Sequence, residues 1–144
     1  MILIDANLLL YAYHPESDHH VKSRAWLEGI FSGTHLVRFA WVTLWAFLRI
    51  STNPRVFVHP LSLAEAETIV ASWFQQPLVG ILEPGERHWE ILREVMKKGQ
   101  TAGPLVMDAV LAAIALEHGA ILHTADLGFS RFPGLKWNTP LTRQ

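Results

Sequence analysis

The chain predicts an α/β fold of three layers, a central parallel sheet of four or five strands covered by helices on both faces. Three observations point to it. Short apolar runs alternate with helix-length segments from one end to the other. The first run, Met1 to Ile4, carries no polar residue, as expected of a strand buried on both faces. The length of 144 residues and an apolar share of 50% suit one domain over 1–144 with its own core.

The elements follow in order. Met1 to Ile4 is a strand stopped by Asp5, and Leu8 to Tyr13 is a helix after the polar break ending at Asn7. Ser17 reads as the N-cap of a helix running to Phe31, where Val21 with Ala25 and Trp26 with Ile30 repeat at helical spacing before Ser32-Gly33 ends it. His35 to Ala40 is extended and Trp41 to Ile50 helical, followed by the breakers Asn53-Pro54 and His59-Pro60. Ser62 and Glu65 have the spacing of a capping box, opening a helix to about Gln76. Val79 to Leu82 is a strand. Glu86 to Lys98 is a helix whose last turn is basic, as the helix dipole favours. Gly103-Pro104 opens an alanine-rich helix, Leu105 to His118, closed by Gly119. Ala120 to Thr124 is a strand, and a last short one lies near Leu135 to Trp137.

Composition excludes several classes. With no cysteine, the chain has no disulfide, thiolate zinc site, iron–sulfur cluster or cysteine nucleophile. No apolar stretch approaches the roughly 18 residues of a membrane span, and Asp5 and Asn7 interrupt the apolar start. A soluble, cytoplasmic protein with no membrane partner is expected. Net charge is −1, from 12 basic and 13 acidic residues, so nucleic-acid binding has no global basic signature. If three aspartates form one acidic site, ten acidic residues remain elsewhere against the twelve basic ones, which permits a phosphate-rich substrate.

Those three are Asp5, Asp108 and Asp126. Asp5 ends the first strand and Asp126 follows a later one; in open α/β sheets the ligand crevice lies beyond the carboxyl ends of the strands. Asp108 sits in the first turns of a very apolar helix, where a charge serves either a site or the helix N-terminus. Each has a structural reading when taken singly: Asp5 as a helix cap, Asp108 as a partner of its own helix dipole, Asp126 as the holder of the turn Ala125–Gly128. Three carboxylates at one edge repel, and a hard divalent cation such as Mg²⁺ or Mn²⁺ is the usual remedy. The eight histidines include no His-Glu-x-x-His, and no Gly-rich phosphate loop, Gly-x-Ser-x-Gly elbow or dinucleotide fingerprint occurs. Trp26, Trp73 and Trp89 fall within amphipathic helices and are expected in the core, unless they line a subunit or partner groove.

The segments Leu3-Ile4-Asp5-Ala6-Asn7-Leu8-Leu9, Leu105 to Ala113 with Glu117-His118-Gly119-Ala120, and Thr124-Ala125-Asp126-Leu127-Gly128-Phe129-Ser130-Arg131-Phe132 resemble a PIN domain, and within that family the VapC toxins of prokaryotic toxin–antitoxin pairs. Phe47 to Phe57 and Phe132 to Pro140 resemble one branch of those toxins. The resemblance spans nearly the whole chain in the same order. It implies a PIN-like sheet, a metal-dependent endoribonuclease activity on RNA, a homodimer and a cognate antitoxin partner. It further implies Asp5, Asp108 and Asp126 as the catalytic, metal-site residues, Asp5 and Asp108 as direct or water-bridged ligands of Mg²⁺ or Mn²⁺, and Asp126 as an orienter of water or holder of a second, weaker ion. Asn7 and Thr124 would orient that shell, with a helix cap and a satisfied strand end as their structural alternatives, and Arg49 would hold an RNA phosphate. Arg55 would be a second phosphate holder, but reads more readily as a solvated surface arginine.

Two positions depart from the family pattern. Many members carry a glutamate where Ala46 stands and a second aspartate where Gly128 stands, so three carboxylates remain. Glu117 lies nine residues after Asp108, about 900° around the helix at 3.6 residues per turn, and so falls on the opposite side. Glu16 or Asp18 would have to reach in from the loop before the second helix. The departures leave open a second reading, a PIN-like RNA or protein binding module with weakened catalysis. A phosphatase using Asp5 as nucleophile fits poorly, because Asn7 stands where such enzymes generally place a second aspartate.

Overall fold

Ile2, Leu3 and Ile4 are all buried and form the central strand of the sheet, β1 (Ile2–Ile4). The remaining strands are β2 (Val37–Phe39), β3 (Val79–Ile81), β4 (Ile121–His123) and β5 (Trp137–Asn138); the helices are α1 (Ala6–Tyr13), α2 (His20–Phe31), α3 (Trp41–Ser51), α4 (Leu63–Phe74), α5 (His88–Lys98) and α6 (Leu105–His118). A 3₁₀ turn spans Leu127–Arg131. The structure, a computed structural model, describes residues 1–141, so the end of the expected 1–144 domain lies outside the described residues. All strand pairs are parallel and the order is β3-β2-β1-β4-β5.

The alternation of β1 side chains divides the core. Leu3 packs with Leu122, Leu92, Val95, Phe129, Phe132 and the alanine-rich face of α6. Ile2 and Ile4 pack with Leu8, Leu9, Leu27, Phe39, Leu44, Phe47 and Trp73 from α1 to α4. Two apolar layers therefore sandwich the sheet, the three-layer α/β arrangement anticipated above.

Several boundaries move for identifiable reasons. Helix α1 begins at Ala6 rather than Leu8, because Asp5 itself is the N-cap and its Oδ1 accepts from Ala6 N at 2.7 Å. Ser17 is not the cap of α2. Its hydroxyl accepts from His19 N in the preceding turn, and the helix starts at His20 with no side-chain cap. The capping box at Ser62 and Glu65 forms with both hydrogen bonds. Helix α5 starts at His88 because Glu117 takes the amides before it, Gly85 N to Oε1 at 2.8 Å and Arg87 N to Oε2 at 3.1 Å. Gly119 closes α6 in the left-handed conformation at φ 67°. The last strand falls at Trp137–Asn138, in register with Leu122 and His123, while Leu135 is a buried core residue.

Of the tryptophans expected in the core, Trp73 is buried, Trp26 half-buried, and Trp89 exposed in the first turn of α5. Exposed Trp41, Trp45 and Phe74 form a surface aromatic cluster. Among the described residues, no helix is long and apolar enough to cross a membrane.

Candidate active site

The strand order reverses between β1 and β4. The chain builds β1, β2 and β3 outward in one direction, then returns to lay β4 and β5 on the other side of β1. The helices that follow the two flanking strands diverge there, and a crevice opens beyond their carboxyl ends. Asp5 directly follows β1, Asp126 lies just past β4, and Asp108 sits in the first turn of α6.

A hydrogen-bond network joins the two strand ends. Asp5 N donates to His123 O at 2.9 Å across the ladder. Thr124, wholly buried, donates from Oγ1 to Asp5 Oδ2 at 2.7 Å and accepts from Asp126 N at 3.0 Å. Asn7 donates from Nδ2 to Asp5 Oδ2 and to Thr124 Oγ1, each at 3.3 Å, and its Oδ1 accepts from Ala125 N at 3.1 Å. Asn7 and Thr124 thus fix both the Asp5 carboxylate and the backbone that carries Asp126. Asp126 is exposed and its Oδ1 accepts from Gly128 N at 2.7 Å, capping the 3₁₀ turn. Asp108 receives no hydrogen bond from any described residue.

The electrostatics are those of crowded anions. Burial pushes the Asp5 carboxyl up to about 6, against the lowering effect of its hydrogen bonds from Thr124 and Ala6, and the charges of Asp108 and Asp126 raise it further. Burial and the charge of Asp126 raise Asp108 as well, while the Arg131 guanidinium draws it down. A cavity of about 340 Å³ is lined by Asp5, Asp108, Arg49, Ala46, Trp45 and Thr43, among others. Ala46 therefore leaves that stretch of the cavity wall without a carboxylate.

These residues fit a divalent ion only in a particular way. The donors are all oxygens, and among the described residues the anions have no ion-pair partner, which suits a hard cation. Yet both oxygens of Asp5 and one of Asp126 already accept hydrogen bonds, and among the described residues no group of three or more His, Asp or Glu side chains is gathered to hold a metal. The arrangement suits an ion that keeps most of its water shell and takes few ligands from the protein.

Other sequence candidates lie elsewhere. Arg55 is exposed and does not line the cavity. Glu16 and Asp18 are exposed, and neither charge acts on Asp5 or Asp108. Glu117 faces away and holds the turn before α5. His123 is buried beside the site, and burial pushes it down to about 4, so it is neutral at physiological pH. Arg131, on the turn that Asp126 caps, also reaches this edge, its charge acting on Asp108. Its signal in the sequence is the phase of that turn, five residues beyond Asp126 and between two aromatic residues.

Residues 2–135 match the PIN domain model. Ribonuclease VapC37 of Mycobacterium tuberculosis is 43% identical over 140 residues, covering 97% of both chains. Ribonuclease VapC33 of the same species is 39% identical over 141 residues, covering 98% of this chain and 99% of that one. Among solved structures, VapBC-1 from nontypeable Haemophilus influenzae superposes with a TM-score of 0.69 at 17% identity, covering 99% of this chain and all of the matched one. M. tuberculosis VapC20, described as a Sarcin-Ricin loop cleaving toxin, superposes with a TM-score of 0.68 at 15% identity, covering 94% and 99%. At those identities the structural likeness speaks for the fold.

Proposed function

Because the chain belongs to the PIN domain family, we propose that it is a metal-dependent endoribonuclease, the toxin of a type II toxin–antitoxin pair, cleaving RNA phosphodiester bonds. The observation that carries the site assignment is the juxtaposition of Asp5, Asp108 and Asp126 at the β1/β4 switch point, where the charges of Asp108 and Asp126 act on Asp5 and that of Asp126 acts on Asp108. The ribonuclease relatives, similar over nearly their whole length, supply the reaction class.

Asp5 and Asp108 would hold Mg²⁺ or Mn²⁺, with Asp126 orienting water beside it. The ion supplies activation of water and charge neutralisation at a phosphodiester. The protein's own contribution is placement. Thr124 and Asn7 hold Asp5 in one rotamer, Asp126 is held by Gly128 N, and Arg49 at the cavity wall receives a phosphate of the RNA strand. With both Asp5 oxygens and one Asp126 oxygen already hydrogen-bonded, these residues alone would hold an ion weakly, and an RNA phosphate would strengthen its binding.

VapBC complexes among the structural neighbours support a cognate antitoxin as partner. The exposed Trp41, Trp45 and Phe74, of which Trp45 lines the cavity, offer an apolar surface for a homodimer. Ala46 and Gly128 favour one alternative, a PIN-like RNA or protein binding module with weakened catalysis. Incubating the purified protein with a mixed RNA pool in Mg²⁺, Mn²⁺ or chelator, and mapping the new ends, decides between them. Internal cuts that need the ion support the nuclease; intact RNA retained by the protein supports the binding module.

A further inference from the structure

We propose that Arg131 is a phosphate-binding residue of this site, holding the RNA strand on the flank formed by the 3₁₀ turn. This rests on the nuclease reading above. Gly128 is gripped from both sides: its N–H donates to Asp126 Oδ1 at 2.7 Å, and its carbonyl accepts from Arg131 Nε at 3.1 Å. One residue thereby sets the spacing between an anionic and a cationic side chain. The turn is anchored by Phe129 and Phe132, both buried with ring centroids 5.8 Å apart, so the backbone under Arg131 is firmly seated.

Among the described residues the guanidinium is placed but not spent. Only its Nε is engaged by a described residue, and the ion pairs among the described residues, Arg24–Glu28 and Lys98–Glu94, do not include it. Its charge reaches Asp108 without a contact ion pair. The terminal nitrogens therefore remain as a planar fork for a phosphate, beside carboxylates that would otherwise repel the RNA backbone.

Gly128 is part of the device. A Cβ there would come within 2.9 Å of Asp126 Oδ1, so a side chain at this position would disturb the carboxylate that the glycine amide holds. Glycine also places no anion at this position to compete with RNA phosphate for Arg131. Arg49 lines the cavity from α3, and Arg131 supplies a second cation from the opposite end of the chain.

The test is binding of a labelled single-stranded RNA in chelator across a range of KCl, followed by cleavage kinetics in Mn²⁺. Arg131→Gln is expected to lower the slope of log affinity against log salt by about 0.7, one phosphate contact to a single strand. It is also expected to reduce kcat/KM by about 10- to 100-fold, mostly through KM, as befits a lost charged hydrogen bond. Arg55→Gln should change neither. Arg131→Lys should keep the slope while losing part of kcat/KM. Independently of any variant, the guanidinium nitrogen resonance of Arg131 should shift when RNA is added to the wild-type protein. A wild type that cleaves RNA while Arg131→Gln, folded, matches it in slope and kcat/KM would overturn the assignment, as would a motionless Arg131 resonance. A wild type that neither binds nor cleaves RNA would instead overturn the nuclease reading.

Discussion

Thr124 Oγ1 donates a 2.7 Å hydrogen bond to Asp5 Oδ2, joining residues 119 positions apart at the ends of adjacent strands. Thr124 wholly excludes water, and the same hydroxyl oxygen accepts from Asn7 Nδ2 and Asp126 N. Its replacement therefore removes one donor and one acceptor together.

Thr124→Val keeps the shape of the side chain but leaves the Asp5 carboxylate short of a donor and the Asp126 amide short of an acceptor. A loss of about 1 to 3 kcal/mol is expected, the usual cost of a buried polar group left unpaired. RNA cleavage should fall with it, and Thr124→Ser should restore both. Urea unfolding beside a cleavage assay checks this; a valine variant as stable and as active as wild type would mean that the network does not hold Asp5.

Two groups at this edge titrate in opposite senses. Asp5 is raised from 3.8 to about 6, so the folded state keeps its proton longer than the unfolded chain, and stability falls as pH rises between those values. His123 is lowered from 6.5 to about 4, so the unfolded chain takes the proton first, and stability falls as pH drops through that window. Each effect is roughly 2 to 3 kcal/mol after some solvent screening, and between about pH 4 and 6 they nearly cancel. In chelator, Asp5→Asn should lose stability toward acid and His123→Gln should gain it. Parallel slopes in both variants and wild type would contradict the assignment.

Asp108 carries a raised carboxyl pKa and no hydrogen bond from a described residue, so its charge costs the metal-free fold stability. Asp108→Asn should stabilise the chelated protein by roughly 0.5 to 2 kcal/mol. Excess Mn²⁺ should reverse the order, because only wild type gains RT ln(1 + [L]/Kd). Melting curves of both proteins in chelator and in Mn²⁺ read this directly. A variant less stable than wild type in chelator would assign Asp108 to its helix instead.

Ala46 lines the cavity that Asp5 and Asp108 share. Ala46→Glu adds a carboxylate there, and an extra anionic ligand should tighten Mn²⁺ binding by about 10-fold or more, since ligand charge sets affinity in such sites. Calorimetry in the absence of RNA measures it. Unchanged affinity would place residue 46 out of reach of the ion.

Much of this was legible in the residues. The unbroken Met1–Ile4 run, the capping box at Ser62 and the Gly119 stop each express a local rule, and the structure follows them. What failed was where a distant partner overrides a local signal. Glu117 captures the amides of Gly85 and Arg87 and delays α5, and Ser17 spends its hydroxyl on a turn rather than a cap. At the site, the positions of Asp5 and Asp126 beyond strand ends could be read from the order of elements. The Asn7–Thr124 bridge could not be derived from spacing, because it depends on β1 and β4 being neighbours. Arg131 was hidden for a similar reason: its value comes from a backbone carbonyl and a carboxylate of two different elements.

A metal-dependent ribonuclease built on three aspartates at one sheet edge must lose its activity with the ion or with Asp108. The most direct test is cleavage of one end-labelled RNA by wild type and by Asp108→Asn, each in Mn²⁺ and in chelator. Internal cuts are expected only for wild type with Mn²⁺, and intact RNA in the other three samples. Equal cleavage by Asp108→Asn, or cleavage by wild type undiminished in chelator, would contradict it.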